Sequence, residues 1–143
     1  MRKKLKLVLL VDDNESDNFL NKRILEKSGF TEHIVAVADG KEALDFIIDC
    51  GICREPDKCY CQPDLIFLDI NMPVMNAWDF LEEYYKLEEV QKAKTIIILL
   101  TTSLNPADMT KAEMLIGSNR FQNKPLTLIS INEIIQMHFP EYL

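Results

Sequence analysis

The 143-residue chain has no basic excess: 16 Lys and Arg stand against 23 Asp and Glu, for a formal net charge of −7. That balance disfavours nucleic-acid binding, which depends on Lys and Arg neutralising phosphates. No apolar run is long enough to cross a bilayer, and the basic Met1–Lys6 lacks the apolar segment and small-residue cleavage site of a secretory signal. A soluble cytoplasmic protein without membrane contact is the expectation. Repeats and low-complexity segments are also missing, and the last expected helix, about Leu128 to His138, almost exhausts the chain. One domain over residues 1–143, with no output module, is therefore expected. There are only two histidines, His33 opening an expected strand and His138 near the end of the last helix, so neither is placed as a catalytic base.

What the chain does have is a set of apolar runs that each stop at a polar residue. Leu7–Val11, Leu65–Leu68 and Ile96–Leu100 are continuous Val/Ile/Leu/Phe runs, the pattern of strands buried on both faces. Between them lie segments with helical spacing: Phe19, Leu20, Ile24 and Leu25; Ala43, Leu44, Ile47 and Ile48; Trp78, Leu81, Tyr84 and Tyr85. This alternation predicts strands at Leu5–Val11, His33–Val37, Asp64–Leu68, Thr95–Leu100 and Asn119–Gln122, each followed by a helix, in an α/β fold with a parallel sheet covered on both faces. Helix starts are marked by Asn14 or Asp13 before Glu15, by Asp39-Gly40, and by Asn105-Pro106, and Gly29 marks the end of the first helix.

In such a sheet, ligands bind outside the carboxyl ends of the strands. Asp12 and Asp13 follow the first strand, Asp69 the third, Thr101 the fourth and Lys124 the fifth. If the first and third strands are neighbours, three carboxylates crowd together, and their repulsion calls for protonation, a cation or Lys124. Hard oxygen ligands suit Mg²⁺, which takes one or two protein carboxylates together with phosphate oxygens. A carboxylate can also act as the nucleophile that becomes an aspartyl-phosphate. Asp69 is the candidate nucleophile, with Lys124 neutralising phosphoryl oxygens and the Thr101 hydroxyl donating to one of them. Each residue alone has an ordinary reading as a turn, cap or solvated side chain; their joint placement at four strand ends carries the functional one.

The ordered motifs Val11-Asp12-Asp13, Leu68-Asp69-Ile70-Asn71-Met72-Pro73, Leu100-Thr101-Thr102-Ser103 and Phe121-Gln122-Asn123-Lys124-Pro125 closely resemble the receiver domain of two-component response regulators, of the stand-alone chemotaxis-regulator kind. The resemblance runs from about Leu5 to Phe139. It implies a flavodoxin-like, doubly wound five-stranded parallel sheet with strand order 2-1-3-4-5. It further implies phosphorylation of Asp69 by a sensor histidine kinase or histidine phosphotransfer protein. Mg²⁺ would be held by Asp13 and Asp69, by Asp12 through water, and by the backbone carbonyl of Asn71. Thr101 and Phe121 would be the switch pair, Lys124 the phosphate-contacting base, and Lys124-Pro125 a cis peptide. The face from the fourth helix to the fifth would meet a downstream protein; a homodimer is compatible with this picture. The implied protein is a phosphoacceptor switch that promotes only its own phosphorylation and dephosphorylation, not an enzyme acting on other substrates. Two rivals stand beside it. One is a phosphorylation-independent interaction module on the same fold. The other, a phosphohydrolase, would need a carboxylate just after Asp69, where Ile70-Asn71 supplies none.

Two features depart from the family pattern. Ala77 stands where Gly is usual, which predicts either a rebuilt loop or strain in a left-handed backbone, partly absorbed by Asn76. The segment at about 49–63 carries Cys50, Cys53, Cys59 and Cys61. Their spacing offers four thiolates for structural zinc, a redox disulfide, or simply reduced thiols, the last being the ordinary state in the cytosol.

Overall fold

A computed structural model describes residues 5–52, 63–70, 72, 75–87, 95–102, 105–117 and 120–140. Strands and helices alternate along the chain: β1 (Leu5–Val11), α1 (Glu15–Ser28), β2 (Thr31–Val37), α2 (Gly40–Ile52), β3 (Leu65–Asp69), α3 (Ala77–Tyr84), β4 (Ile96–Thr101), α4 (Pro106–Ile116), β5 (Phe121–Asn123) and α5 (Leu128–His138). All four strand pairings are parallel, and the sheet order is β2-β1-β3-β4-β5. This is a flavodoxin-like fold, with the strand order that the resemblance implies.

The continuous apolar runs divide between two cores by the period-two alternation of a strand. Leu9, Val11, Ile66, Leu68, Ile97 and Leu99 join the core under α2 and α3, whereas Val8, Leu10, Leu65, Phe67, Ile98 and Leu100 join the core under α1 and α5. A Leu, Ile or Phe buried in this way contributes about 1.5–3 kcal/mol, which is why the three inner strands form the rigid base of the molecule.

Caps set the helix starts above the sheet. Asn14 accepts from the Asp17 N–H at 3.0 Å, and Asn105 accepts from the Ala107 N–H at 2.9 Å with Pro106 opening α4. Thr127 and Ser130 form a reciprocal capping box on α5. Gly29 ends α1 at φ 71°, a left-handed conformation that glycine takes without steric cost. Lys124-Pro125 is cis.

The strand limits differ from expectation mainly at the edges. β2 begins at Thr31 because Leu5 pairs with it, and the Leu5 N–H donates to Phe30 O at 2.7 Å. β3 and β4 each begin and end one residue later than expected, and at their ends Asp69 pairs with Leu100 in the ladder and Thr101 with Asn123. β5 begins at Phe121, the first residue paired with Leu99; Asn119 lies outside the described residues.

Of the two alternatives expected at Ala77, a rebuilt loop or a strained left-handed backbone, the strained one is overturned. Asn76 is the extended N-cap of α3 (φ −77°), accepting from the Asp79 N–H at 2.9 Å, and Ala77 is the first helical residue. It is fully buried, and its N–H donates to Ile70 O at 3.2 Å. Neither position is left-handed: Asn76 is an extended cap and Ala77 is helical.

Candidate functional site

β1 and β3 are adjacent, so their ends deliver acidic side chains to the same carboxyl edge of the sheet. Asp12, Asp13 and Asp69 each present an oxygen, and the three oxygens lie within 4.8 Å of one another. Asp12 and Asp69 are buried, while Asp13 is exposed.

The backbone around Asp12 is fixed from several directions. Its N–H donates to Val37 O at 3.2 Å, its Oδ1 accepts from the Asn14 N–H at 2.9 Å, and its carbonyl accepts from Asn18 Nδ2 at 2.9 Å. Asn18 Nδ2 also reaches Val37 O at 3.2 Å, so the first residues of α1 tie the ends of β1 and β2 together.

Lys124 enters from the end of β5. Its backbone N–H donates to Thr101 O at 2.7 Å, which holds it beside the end of β4. Its ammonium Nζ lies 2.5 Å from Asp12, 3.1 Å from Asp17 and 3.2 Å from Asp69. Thr101 is buried at the same edge, and Phe121 is half-buried against the core under α2 and α3.

Burial pushes the Asp69 carboxyl up to about 6, with the charge of Asp12 adding to the rise and Lys124 opposing it. Burial works against the Lys124 ammonium too, but its hydrogen bond to Asp12 and the charges of Asp12 and Asp69 outweigh that effect and push it above its ordinary value. The site is thus one cation shared among several carboxylates, with Asp69 close to neutral-pH titration and hard oxygen ligands ready for a divalent cation. That donor set fits Mg²⁺.

A model of the response regulator receiver domain matches residues 8–136. The chain belongs to the response regulator receiver family. Among solved structures, a two-component response regulator from Cytophaga hutchinsonii is similar over 97% of this chain and 100% of that one, with a TM-score of 0.83 and 31% identity. The two-component response regulator 24 of Arabidopsis thaliana is 30% identical over 127 residues, 89% of this chain and 79% of the relative. The probable methanogenesis regulatory protein FilR2 of Methanothrix harundinacea is 28% identical over 131 residues, 91% of this chain and 79% of the relative. An acidic triad such as Asp12, Asp13 and Asp69 is typical of a receiver Mg²⁺ site, and receivers work with histidine kinases or phosphotransfer proteins.

Several positions named from the sequence fall elsewhere. Asn71, Cys53, Cys59 and Cys61 lie outside the described residues, as does the side chain of Cys50. In the receiver, His33 pairs with Leu7, well before the carboxyl end of β2. Among the described residues, no helix is long and apolar enough to cross a membrane.

Two residues of this receiver escaped the strand-end reading. Asp17 is a partner of Lys124, and Asn21, buried on α1, accepts from the Leu126 N–H at 3.4 Å just beyond the cis proline. No local pattern marks either residue: Asp13 lies outside α1, and both contacts arise from tertiary approach over more than a hundred positions.

Proposed function

We propose that this receiver accepts a phosphoryl group on Asp69 from the phosphohistidine of a sensor histidine kinase or histidine phosphotransfer protein. The observation carrying this reading is the convergence of Asp12, Asp13, Asp69 and Lys124 at one sheet edge. An Asp69 oxygen attacks phosphorus in line; the P–N bond breaks, and its electron pair returns to the imidazole nitrogen, which takes up a proton. With its carboxyl at about 6, Asp69 is largely ionised at neutral pH and remains a competent nucleophile. Lys124, already within 3.2 Å of Asp69, meets the charge brought by the phosphoryl oxygens. Asp13 and Asp69, with Asp12 and the Asn71 carbonyl, would hold Mg²⁺, which supplies charge neutralisation and orientation of the phosphate.

The Thr101 hydroxyl then turns toward the phosphoryl group and Phe121 follows, altering the face built from α4, β5 and α5. Exposed apolar side chains on those helices, Met114, Ile129 and Met137, support that face as the surface read by a downstream protein. The receiver acts as a switch for that protein or passes its phosphoryl group onward in a relay.

The test is intact mass after incubation with acetyl phosphate and Mg²⁺. One added phosphoryl group is expected, absent in Asp69→Asn and in EDTA. An unmodified mass with both acetyl phosphate and a phosphorylated histidine phosphotransfer protein would favour the phosphorylation-independent interaction module.

A further inference from the structure

The contacts of Lys124 do not stop at the residues that the proposed chemistry uses. An ammonium has three N–H donors, and the carboxylates of Asp12, Asp17 and Asp69 lie at 2.5, 3.1 and 3.2 Å from Lys124 Nζ, enough to occupy all of them. Lys124 is nearly buried, with a side-chain exposure of 9%, so water has little access to add or exchange partners. A phosphoryl group arriving on Asp69 brings further oxygens to this ammonium, and one existing contact has to give way.

The partners are unequal. Asp12 is 2% exposed and makes the shortest contact, so releasing it would leave a buried carboxylate without its cation. Asp69 is the acceptor itself. Asp17 is 36% exposed and can be rehydrated at little cost. Its position is nonetheless fixed: its N–H donates to the N-cap Asn14 at 3.0 Å, and the next residue, Asn18, is bonded to Asp12 O and Val37 O.

We infer that Asp17 is a positioning residue that occupies one N–H donor of Lys124 in the resting receiver and yields it when a phosphoryl group occupies Asp69. This inference rests on the proposed acceptor role of Asp69. Its consequence is that the first turn of α1 competes with the phosphoryl group for the same ammonium. Removing the Asp17 charge therefore favours the phosphorylated form.

The experiment measures binding of beryllofluoride, which stands in for the phosphoryl group on a carboxylate, by ¹⁹F resonance at saturating Mg²⁺. Wild type is compared with Asp17→Asn, Asp17→Glu, Glu15→Gln and Asp69→Asn. Glu15 lies in the same first turn and is exposed, so Glu15→Gln removes an equal charge and reports any general field effect. Asp17→Asn should bind about two- to fivefold more tightly than Glu15→Gln, the range expected for loss of a partly exposed ion pair. Asp17→Glu should return to wild-type affinity. The ¹⁵N resonance of the Lys124 ammonium without analogue should move in Asp17→Asn and stay in place in Glu15→Gln, a change that mere loss of helix stability would not produce.

Equal affinities for Asp17→Asn and Glu15→Gln, or weaker binding by Asp17→Asn, would overturn the role of Asp17 while wild-type binding and its loss in Asp69→Asn leave the acceptor reading standing. Absence of analogue binding by wild type would overturn both.

Discussion

Lys111 Nζ of α4 sits 4.6 Å from the centroid of the Trp78 ring on α3, joining the two helices that flank the end of β4. Trp78 is the only tryptophan in the chain, so its emission reports this contact directly. A cation over an indole at a partly exposed site contributes about 0.5–1 kcal/mol, weak enough to be broken by a shift of α4. Mg²⁺ with beryllofluoride is expected to change Trp78 emission in wild type and to change it much less in Lys111→Met. Equal responses in the two proteins would mean that activation leaves this contact intact.

A second prediction concerns pH. The Asp69 carboxyl is raised from 3.8 to about 6, first by burial and then by Asp12. Between those values the folded receiver keeps a proton that the unfolded chain has lost. Stability therefore falls as pH rises through that window, and the full penalty stands above it. In EDTA near neutral pH, Asp69→Asn is expected to be more stable than wild type by roughly 1–3 kcal/mol, with the difference shrinking toward about pH 4. Mg²⁺ should narrow it by stabilising the ionised carboxylate. Urea unfolding across that range checks the sign; a variant less stable than wild type at neutral pH would contradict it.

Lys124→Met should have the opposite effect on stability. It keeps the buried stem but leaves Asp12 and Asp69 without their shared cation, and breaking a buried ion pair from one side costs about 3 kcal/mol or more. Mg²⁺ is expected to recover part of the loss. Thermal unfolding with and without Mg²⁺ reads both effects, and an unchanged midpoint would show that the acidic cluster needs no internal cation.

Ala77→Gly separates the helix-cap account of the loop from a strained one. Ala77 is buried and helical at the start of α3, so glycine should destabilise by about 0.5–1 kcal/mol. A stabilised variant would instead indicate backbone strain at this position.

The inner strands were legible because burial on both faces leaves an uninterrupted apolar signature, as in Leu7–Val11 and Ile96–Leu100. The edge strands β2 and β5 carry mixed side chains, and their limits follow from pairing, Leu5 with Thr31 and Leu99 with Phe121, which no local pattern encodes. The convergence of Asp12, Asp13, Asp69 and Lys124 was readable for a related reason: Asp12 and Asp69 end apolar runs, Asp13 and Lys124 follow strand ends, and parallel strands put those ends on one edge. Asp17 was not readable in this way. Its contact joins the first turn of a helix to a residue 107 positions away, through tertiary approach alone. At Ala77 the resemblance left a rebuilt loop and a strained backbone both open, and the extended N-cap at Asn76 decides against the strain.

The most direct test of the account is the location of the phosphoryl group. Brief treatment with acetyl phosphate and Mg²⁺, followed by borohydride reduction, converts an aspartyl-phosphate to homoserine, which peptide mass spectrometry can place in the chain. Homoserine at position 69, lost when EDTA replaces Mg²⁺, is the predicted result. Homoserine at position 12 or 13 with none at 69, or none anywhere while phosphate is found on another side chain, would contradict Asp69 as the acceptor.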